Sequence, residues 1–287
     1  MIHTEWKLAA SDGLTLYARE WLPAEREAVG TVCIVHGMGE HSGCYAELAG
    51  AFAEAGFAVL AYDQRGHGRS DGRRGHSPSI MALVSDAGLL LEEARTRHPG
   101  LPRFLYGHSM GGSVALNCAL RLRPGFDGLI LSSPWLRLAM RVPALKLRIG
   151  RIMARLWPTL PQRTGLKPGD LFRAASGGAA PQPDPLNHLW ITPGMFVALE
   201  EAGEWALAHA RELDTPLLLM HGTADRVTSF EASRELARQV GSRCEFVPWD
   251  GGYHELHRDL DKDDVIRHMT RWLKARLRSK PREPFRE

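Results

Sequence analysis

An α/β fold is predicted, with a mainly parallel sheet, an antiparallel hairpin at its start and an inserted helical cap late in the chain. Short β-branched or apolar runs alternate with helix-length stretches, and such alternation implies right-handed crossovers between parallel strands. The runs end in loops carrying Gly, His, Ser and Asp, at the strand ends where the reactive loops of such a sheet gather. Between Pro134 and His209 the alternation stops, then it resumes. Residues 1–133 and 210–287 are therefore read as the core and 134–209 as the cap.

Residues 4–9 and 14–21 alternate polar and apolar side chains around Asp12-Gly13, a hairpin signal. The β-branched run 31–35 ends in His36-Gly37-Met38-Gly39-Glu40-His41-Ser42 and leads into a helical stretch over 45–55. A strand over 58–62 ends in Asp63-Gln64-Arg65-Gly66-His67-Gly68-Arg69-Ser70, a loop read as structural, its arginine and aspartate tying adjacent loops together. A helix over 80–97, the strand 104–106, a sharp turn, a helix over 113–120 and the strand 128–131 complete the first part. After the cap come a strand over 216–220, a helix over 230–240, a strand over 244–248 and a final helix over 264–278. Residues 176–185, rich in glycine and proline, read as a loop within the cap, and 279–287 as a frayed tail.

Composition narrows the class. A chain of 287 residues buries a sizeable core without staples. The net charge of +3, with 24% charged residues, gives no nucleic-acid footprint, and no nucleic-acid partner is expected. Cys33, Cys44, Cys118 and Cys244 are scattered, with no pair or His/Cys cluster at metal-ligand spacing, so neither disulfides nor a metal is indicated. Residues 1–6 lack a basic region followed by an apolar run, and no apolar stretch is long enough to span a bilayer. A cytoplasmic protein is the expectation.

The chemistry centres on Gly107-His108-Ser109-Met110-Gly111, a G-x-S-x-G turn between strand and helix. Alone the pattern is weak, arising by chance in roughly one chain in ten of this length. A serine hydroxyl needs a base within reach and an acid to fix that base's tautomer. His254 and Asp225 follow consecutive core strands, at the same sheet edge as Ser109. Asp214 precedes its strand, and Asp250 is too close in sequence to His254 for the usual geometry. The order Ser, Asp, His is the one expected of an α/β-hydrolase fold. Ser109 is read as nucleophile, His254 as general base and acid, and Asp225 as orienting carboxylate. The backbone N–H groups of Met38 and Met110 are the candidate oxyanion donors.

Five stretches carry a resemblance: 36–43, 63–70, 107–112, 221–226 and 253–257 (Tyr-His-Glu-Leu-His). Together the chain resembles the monoacylglycerol lipase and lysophospholipase-like branch of the serine α/β-hydrolases. The resemblance implies a cofactor-free enzyme cleaving esters of lipophilic acyl chains, most simply monoacylglycerols, with Glu40 and His257 helping to bind the glycerol head group. It departs at Cys44, where that family often has arginine before the tyrosine, so one hydrogen-bonding arm of the glycerol pocket is expected to be missing.

Within the cap, Leu145, Ile149, Ile152, Met153 and Leu156 share one helical face, and Arg148, Arg151 and Arg155 line another. Such a helix either lids an apolar pocket or lies on an anionic membrane surface; both fit a lipophilic substrate. Trp135, Trp157 and Trp190 are candidates to line the same tunnel. A lysophospholipase, a broad carboxylesterase, a peptidase, a carbon–carbon bond hydrolase or a catalytically silent lipid-binding protein on this fold stay open. Dehalogenases and epoxide hydrolases, which use aspartate at the turn, do not suit Ser109.

Overall fold

The computed structural model describes residues 2–140, 144–173 and 184–278. Its strands are β1 (Ile2–Ala9), β2 (Thr15–Leu22), β3 (Gly30–Val35), β4 (Phe57–Tyr62), β5 (Arg103–His108), β6 (Gly128–Ser132), β7 (Gln162–Arg163), β8 (Trp190–Ile191), β9 (Leu217–Gly222) and β10 (Cys244–Trp249). The helices are α1 (Ala46–Glu54), α2 (Ile80–Arg97), α3 (Met110–Arg121), α4 (Ala144–Leu156), α5 (Pro193–Ala208), α6 (Phe230–Val240) and α7 (Lys262–Arg278). The main sheet runs β1-β2-β4-β3-β5-β6-β9-β10, antiparallel at β1/β2 and β2/β4 and parallel elsewhere. β7 and β8 pair separately.

β3, β4, β6 and β9 are buried along their whole length, as both faces of the sheet are covered, which is why they read as unbroken apolar runs. β10 holds the edge, where Pro248 is tolerated because one side of the strand needs no ladder donor. One face of the sheet packs Leu83, Leu90, Val114, Leu116 and Leu236 from α2, α3 and α6. The other packs Leu48, Phe52, Met269 and Trp272 from α1 and α7. Burying each such side chain is worth about 1.5–3 kcal/mol. Ser79, Thr192 and Ser229 cap α2, α5 and α6, each side chain accepting from an N–H in the first turn.

The loop after β4 ties its neighbours together. Arg65, almost fully buried, donates to both oxygens of Asp86 (2.6 and 2.8 Å) and to Asp12 (2.6 Å), joining the β1/β2 turn to α2. Asp63 accepts from the backbone of Ser42 and of Arg69 (2.8 Å each).

The stretch between β6 and β9 divides into two unlike parts. α5 buries Met195, Leu199, Ala202, Ala206 and Leu207, and Asn117 Nδ2 of α3 donates to the Ala202 carbonyl (3.3 Å), so α5 belongs to the helical layer of the core. α4 presents Leu145, Ile149, Ile152 and Leu156 outward, 70%, 52%, 56% and 62% exposed, while Met153 is half-buried and Arg148, Arg151 and Arg155 are exposed. Residues 176–183 of the expected loop and the expected tail 279–287 lie outside the described residues. Cys33 and Cys118 are buried, Cys44 and Cys244 half-buried, and all four are free thiols. Among the described residues no helix is long and apolar enough to cross a membrane.

Candidate active site

β5 passes into α3 through a single residue, Ser109, at φ 52° and ψ −119°. A side chain held in that region stores about 1–3 kcal/mol of strain, and the neighbours impose it. Ser109 N–H donates to the Ser132 carbonyl (3.0 Å), and the Ser109 carbonyl accepts from Ser113 N–H (3.1 Å) and Trp135 N–H (2.8 Å). The flanking glycines are demanded by space: a Cβ on Gly107 would lie 2.4 Å from the Gly111 carbonyl, and one on Gly111 2.1 Å from that of Val35.

Ser109 Oγ donates to His254 Nε2 (2.9 Å), and His254 Nδ1 donates to Asp225 Oδ2 (2.8 Å). The structure thus brings together the three side chains that the sequence selects, from the loops after β5, β10 and β9. Asp225 is further held by N–H groups of Val227 (2.7 Å) and Thr228 (3.1 Å), by the Thr228 hydroxyl (2.8 Å) and by His221 Nε2 (3.0 Å). Burial alone would raise its carboxyl, but His254 and His221 hold it well below the ordinary carboxylate range. Burial pulls His254 down, Asp225 pulls it up, and the net is a rise above the usual histidine value. Burial keeps the adjacent His108, 4.8 Å from His254 between ring centres, far below its usual value and hence neutral.

Met110 is the first residue of α3, so its N–H has no intrahelical acceptor. Met38 stands in the turn after β3 and lines the same cavity as Ser109 and His254. Glu40 Oε2 accepts from Gly37 N–H (2.8 Å) and the Tyr45 hydroxyl (2.7 Å), bracing that turn, while Oε1 is buried without a partner among the described residues. His257 stacks on Tyr45 (4.8 Å, 15°), and its two ring nitrogens have no partner among the described residues; burial pushes its pKa down to about 3. The Cys44 thiol donates to Asn187 Oδ1 (3.4 Å).

Residues 184–192 cross over the Met38 turn. His41 donates to Asp184 (2.9 Å), His188 N–H to the Gly39 carbonyl (2.8 Å) and Thr192 N–H to the Gly75 carbonyl (3.0 Å). The approach is so close that a Cβ on Gly39 would meet the His188 carbonyl at 2.1 Å.

Above Ser109 opens a cavity of about 480 Å³. Trp135, Leu138, Leu166, Trp190, Phe196 and Val227 supply apolar walls; Glu40, Asn187, Glu255 and Arg258 supply polar ones. Trp135 and Trp190 line it as expected, Trp157 does not and is 62% exposed, and no described residue of α4 is in its wall. The apolar face of α4 therefore points to solvent rather than lidding the pocket. Sequence reasoning missed the Thr228 and His221 supports of Asp225, although one stands three residues after it in the loop and the other four before it at the end of β9, and it gave Glu255 and Arg258 no role. Among the described residues no group of three or more His, Cys, Asp or Glu side chains is placed to hold a metal ion.

Fold and site together define a serine ester hydrolase of the α/β-hydrolase class. More particularly, the chain belongs to the hydrolase family described as serine aminopeptidase, S33, whose match covers residues 26–261. A monoacylglycerol lipase of Mycolicibacterium smegmatis is 31% identical over 276 residues, 96% of this chain and 98% of that one. An uncharacterized abhydrolase domain-containing protein of Dictyostelium discoideum is 34% identical over 96% of this chain, which spans only 29% of that protein's length. The crystal structure of a Paleococcus ferrophilus monoacylglycerol lipase is similar with a TM-score of 0.82 and 32% identity, over 91% of this chain and 99% of that one.

Proposed function

We propose that this enzyme hydrolyses monoacylglycerols through an acyl-enzyme. The observation that carries the reading is the Ser109–His254–Asp225 relay opening into a cavity with extended apolar walls and a polar patch beside His254. The apolar walls suit an acyl chain and the polar patch a hydroxyl-bearing alcohol. Its similarity to monoacylglycerol lipases along most of its length supports the same substrate.

In this mechanism Ser109 Oγ attacks the ester carbonyl carbon as its proton passes to His254 Nε2. Asp225 holds the imidazole in the tautomer that can accept it and stabilises the imidazolium. The tetrahedral oxyanion takes hydrogen bonds from the N–H groups of Met38 and Met110. Collapse breaks the bond to the alcohol, which leaves with the proton from His254. Water, deprotonated by the same histidine, then cleaves the acyl-enzyme, releasing the fatty acid and restoring Ser109. Glu40, which lines the cavity and whose Oε1 is buried without a partner among the described residues, is assigned to the glycerol hydroxyls, with His257, stacked on Tyr45 outside the cavity wall, supporting it from behind.

We further assign the part of residues 134–209 that precedes α5 to a cap whose outward apolar helix, flanked by Arg148, Arg151 and Arg155, rests peripherally on an anionic membrane surface from the cytoplasmic side. Vesicle binding by catalytically silent Ser109→Ala tests this contact apart from turnover; absence of binding to anionic vesicles rules it out.

The substrate reading is tested by initial rates on monoacylglycerols, lysophosphatidylcholines and alkyl esters of equal acyl length, with Ser109→Ala as blank. A clear preference for monoacylglycerol is expected. Equal rates on alkyl esters would replace it with a broad carboxylesterase.

A further inference from the structure

The polar wall of the cavity contains an ion pair that the relay does not use. Glu255 follows His254 directly, and its side chain is 4% exposed. Its N–H donates to the Leu171 carbonyl (2.7 Å), fixing the backbone, and its carboxylate accepts from Arg258 Nη1 (2.9 Å). Arg258 N–H in turn donates to the Glu255 carbonyl (2.8 Å), and the guanidinium lies 4.9 Å over the Phe172 ring. The arginine is thus held at three points, by carboxylate, backbone and aromatic face. Among the described residues its Nε and Nη2 have no acceptor, and both Glu255 and Arg258 line the cavity with Glu40. A guanidinium with free donors thus lines the same cavity as the histidine that protonates the leaving group.

We propose that Arg258, oriented by Glu255, donates hydrogen bonds to the free hydroxyls of the leaving alcohol, making this pair the determinant of head-group preference. The proposal rests on the ester-hydrolase reading above. The charge balance leans the same way: Glu40 and Glu255 set two carboxylates against the two guanidiniums of Arg163 and Arg258, so the wall holds no surplus positive charge for a phosphate. It offers donors and acceptors at once, the complement of a neutral polyol, each of whose hydroxyls does both.

The test uses the full chain with Arg258→Met and Arg258→Lys. kcat/KM is measured on a 1-monoacylglycerol, the methyl ester and a lysophosphatidylglycerol of one acyl length, with circular dichroism as a check on folding. Arg258→Met is expected to lose roughly tenfold or more on the monoacylglycerol, as befits a charge-assisted hydrogen bond, and less than about twofold on the methyl ester, with Arg258→Lys between. Equal losses on both esters would assign the pair to holding the His254 loop and overturn the proposal, as would no loss on either. A greater loss on the phosphate-bearing ester would make Arg258 an anion anchor instead. A wild-type enzyme that does not prefer monoacylglycerol over the methyl ester sinks the substrate reading and this proposal together; a preference that persists in Arg258→Met sinks the proposal alone.

Discussion

α3 and α4 are helices of 12 and 13 residues with opposite surroundings. α3 buries eleven side chains or glycines in sequence from Met110 to Leu120, begins at the strained Ser109 and packs against α2, α5 and the sheet. α4 touches α5 along its half-buried side and turns four large apolar side chains to solvent. The difference separates two kinds of constraint. Around α3 every atom is fixed by a neighbour, so geometry can be strained and still be unique; around α4 the apolar face lacks a partner within the described chain, so its energy is gained only when something outside covers it.

The comparison breaks most sharply at the elbow. Ser109→Ala is expected to lower kcat by about 10⁴- to 10⁶-fold while leaving the melting transition in place; retention of near-wild-type turnover would remove Ser109 from the reaction. Asp225→Asn keeps the shape but favours the wrong histidine tautomer, and a loss of about 10⁴-fold is expected. Arg65→Ala strands the buried Asp86 carboxylate and is expected to cost about 3–5 kcal/mol in denaturant unfolding. On α4, Ile149→Ser with Ile152→Ser is expected to change stability by no more than about 0.5 kcal/mol, while slowing hydrolysis from anionic vesicles roughly tenfold and sparing a dispersed short-chain ester. A matching drop on the dispersed ester would show that α4 shapes the pocket after all.

The smallest effect is a displaced pH limb. His254 must be neutral to accept the Ser109 proton, and its pKa is raised, so kcat/KM is expected to fall with acid through a value above the ordinary ~6.5. For stability the sign is reversed: His254 contributes most below its unfolded pKa, and the contribution fades as pH rises through the folded one. A limb at or below ~6.5 would mean that Asp225 does not support the imidazolium.

What was legible in the sequence follows the same division. The relay could be read because each member sits just past a strand, and a parallel sheet gathers such ends at one edge. The strands were readable because two-sided burial leaves continuous apolar runs. Periodicity gave α4 its two faces but could not tell that the apolar one meets solvent as the arginines do, since that depends on where α5 sits. α5 itself read as part of the cap, although its long apolar stretch packs on α3, because only the two-residue β8, outside the main sheet, directly precedes it. Thr228 and Arg258 carry no pattern of their own, and His221 and Glu255 stand in patterned stretches without a role; all four acquire meaning only when the loops after β9 and β10 close around His254.

The stretch 184–192 stitches the segment before α5 to the turn carrying Met38 through Asp184 and His188, and to the loop after β4 through Thr192. Those bonds join loops rather than paired strands, and opening them locally needs less energy than melting the sheet. On heating, the oxyanion turn should therefore lose its shape first, and the enzyme should fall silent while its strands are still paired. Thermal inactivation is expected several degrees below the calorimetric transition and, after brief exposure, to reverse on cooling. Inactivation and melting at one temperature would mean that the seam and the sheet come apart as a single unit.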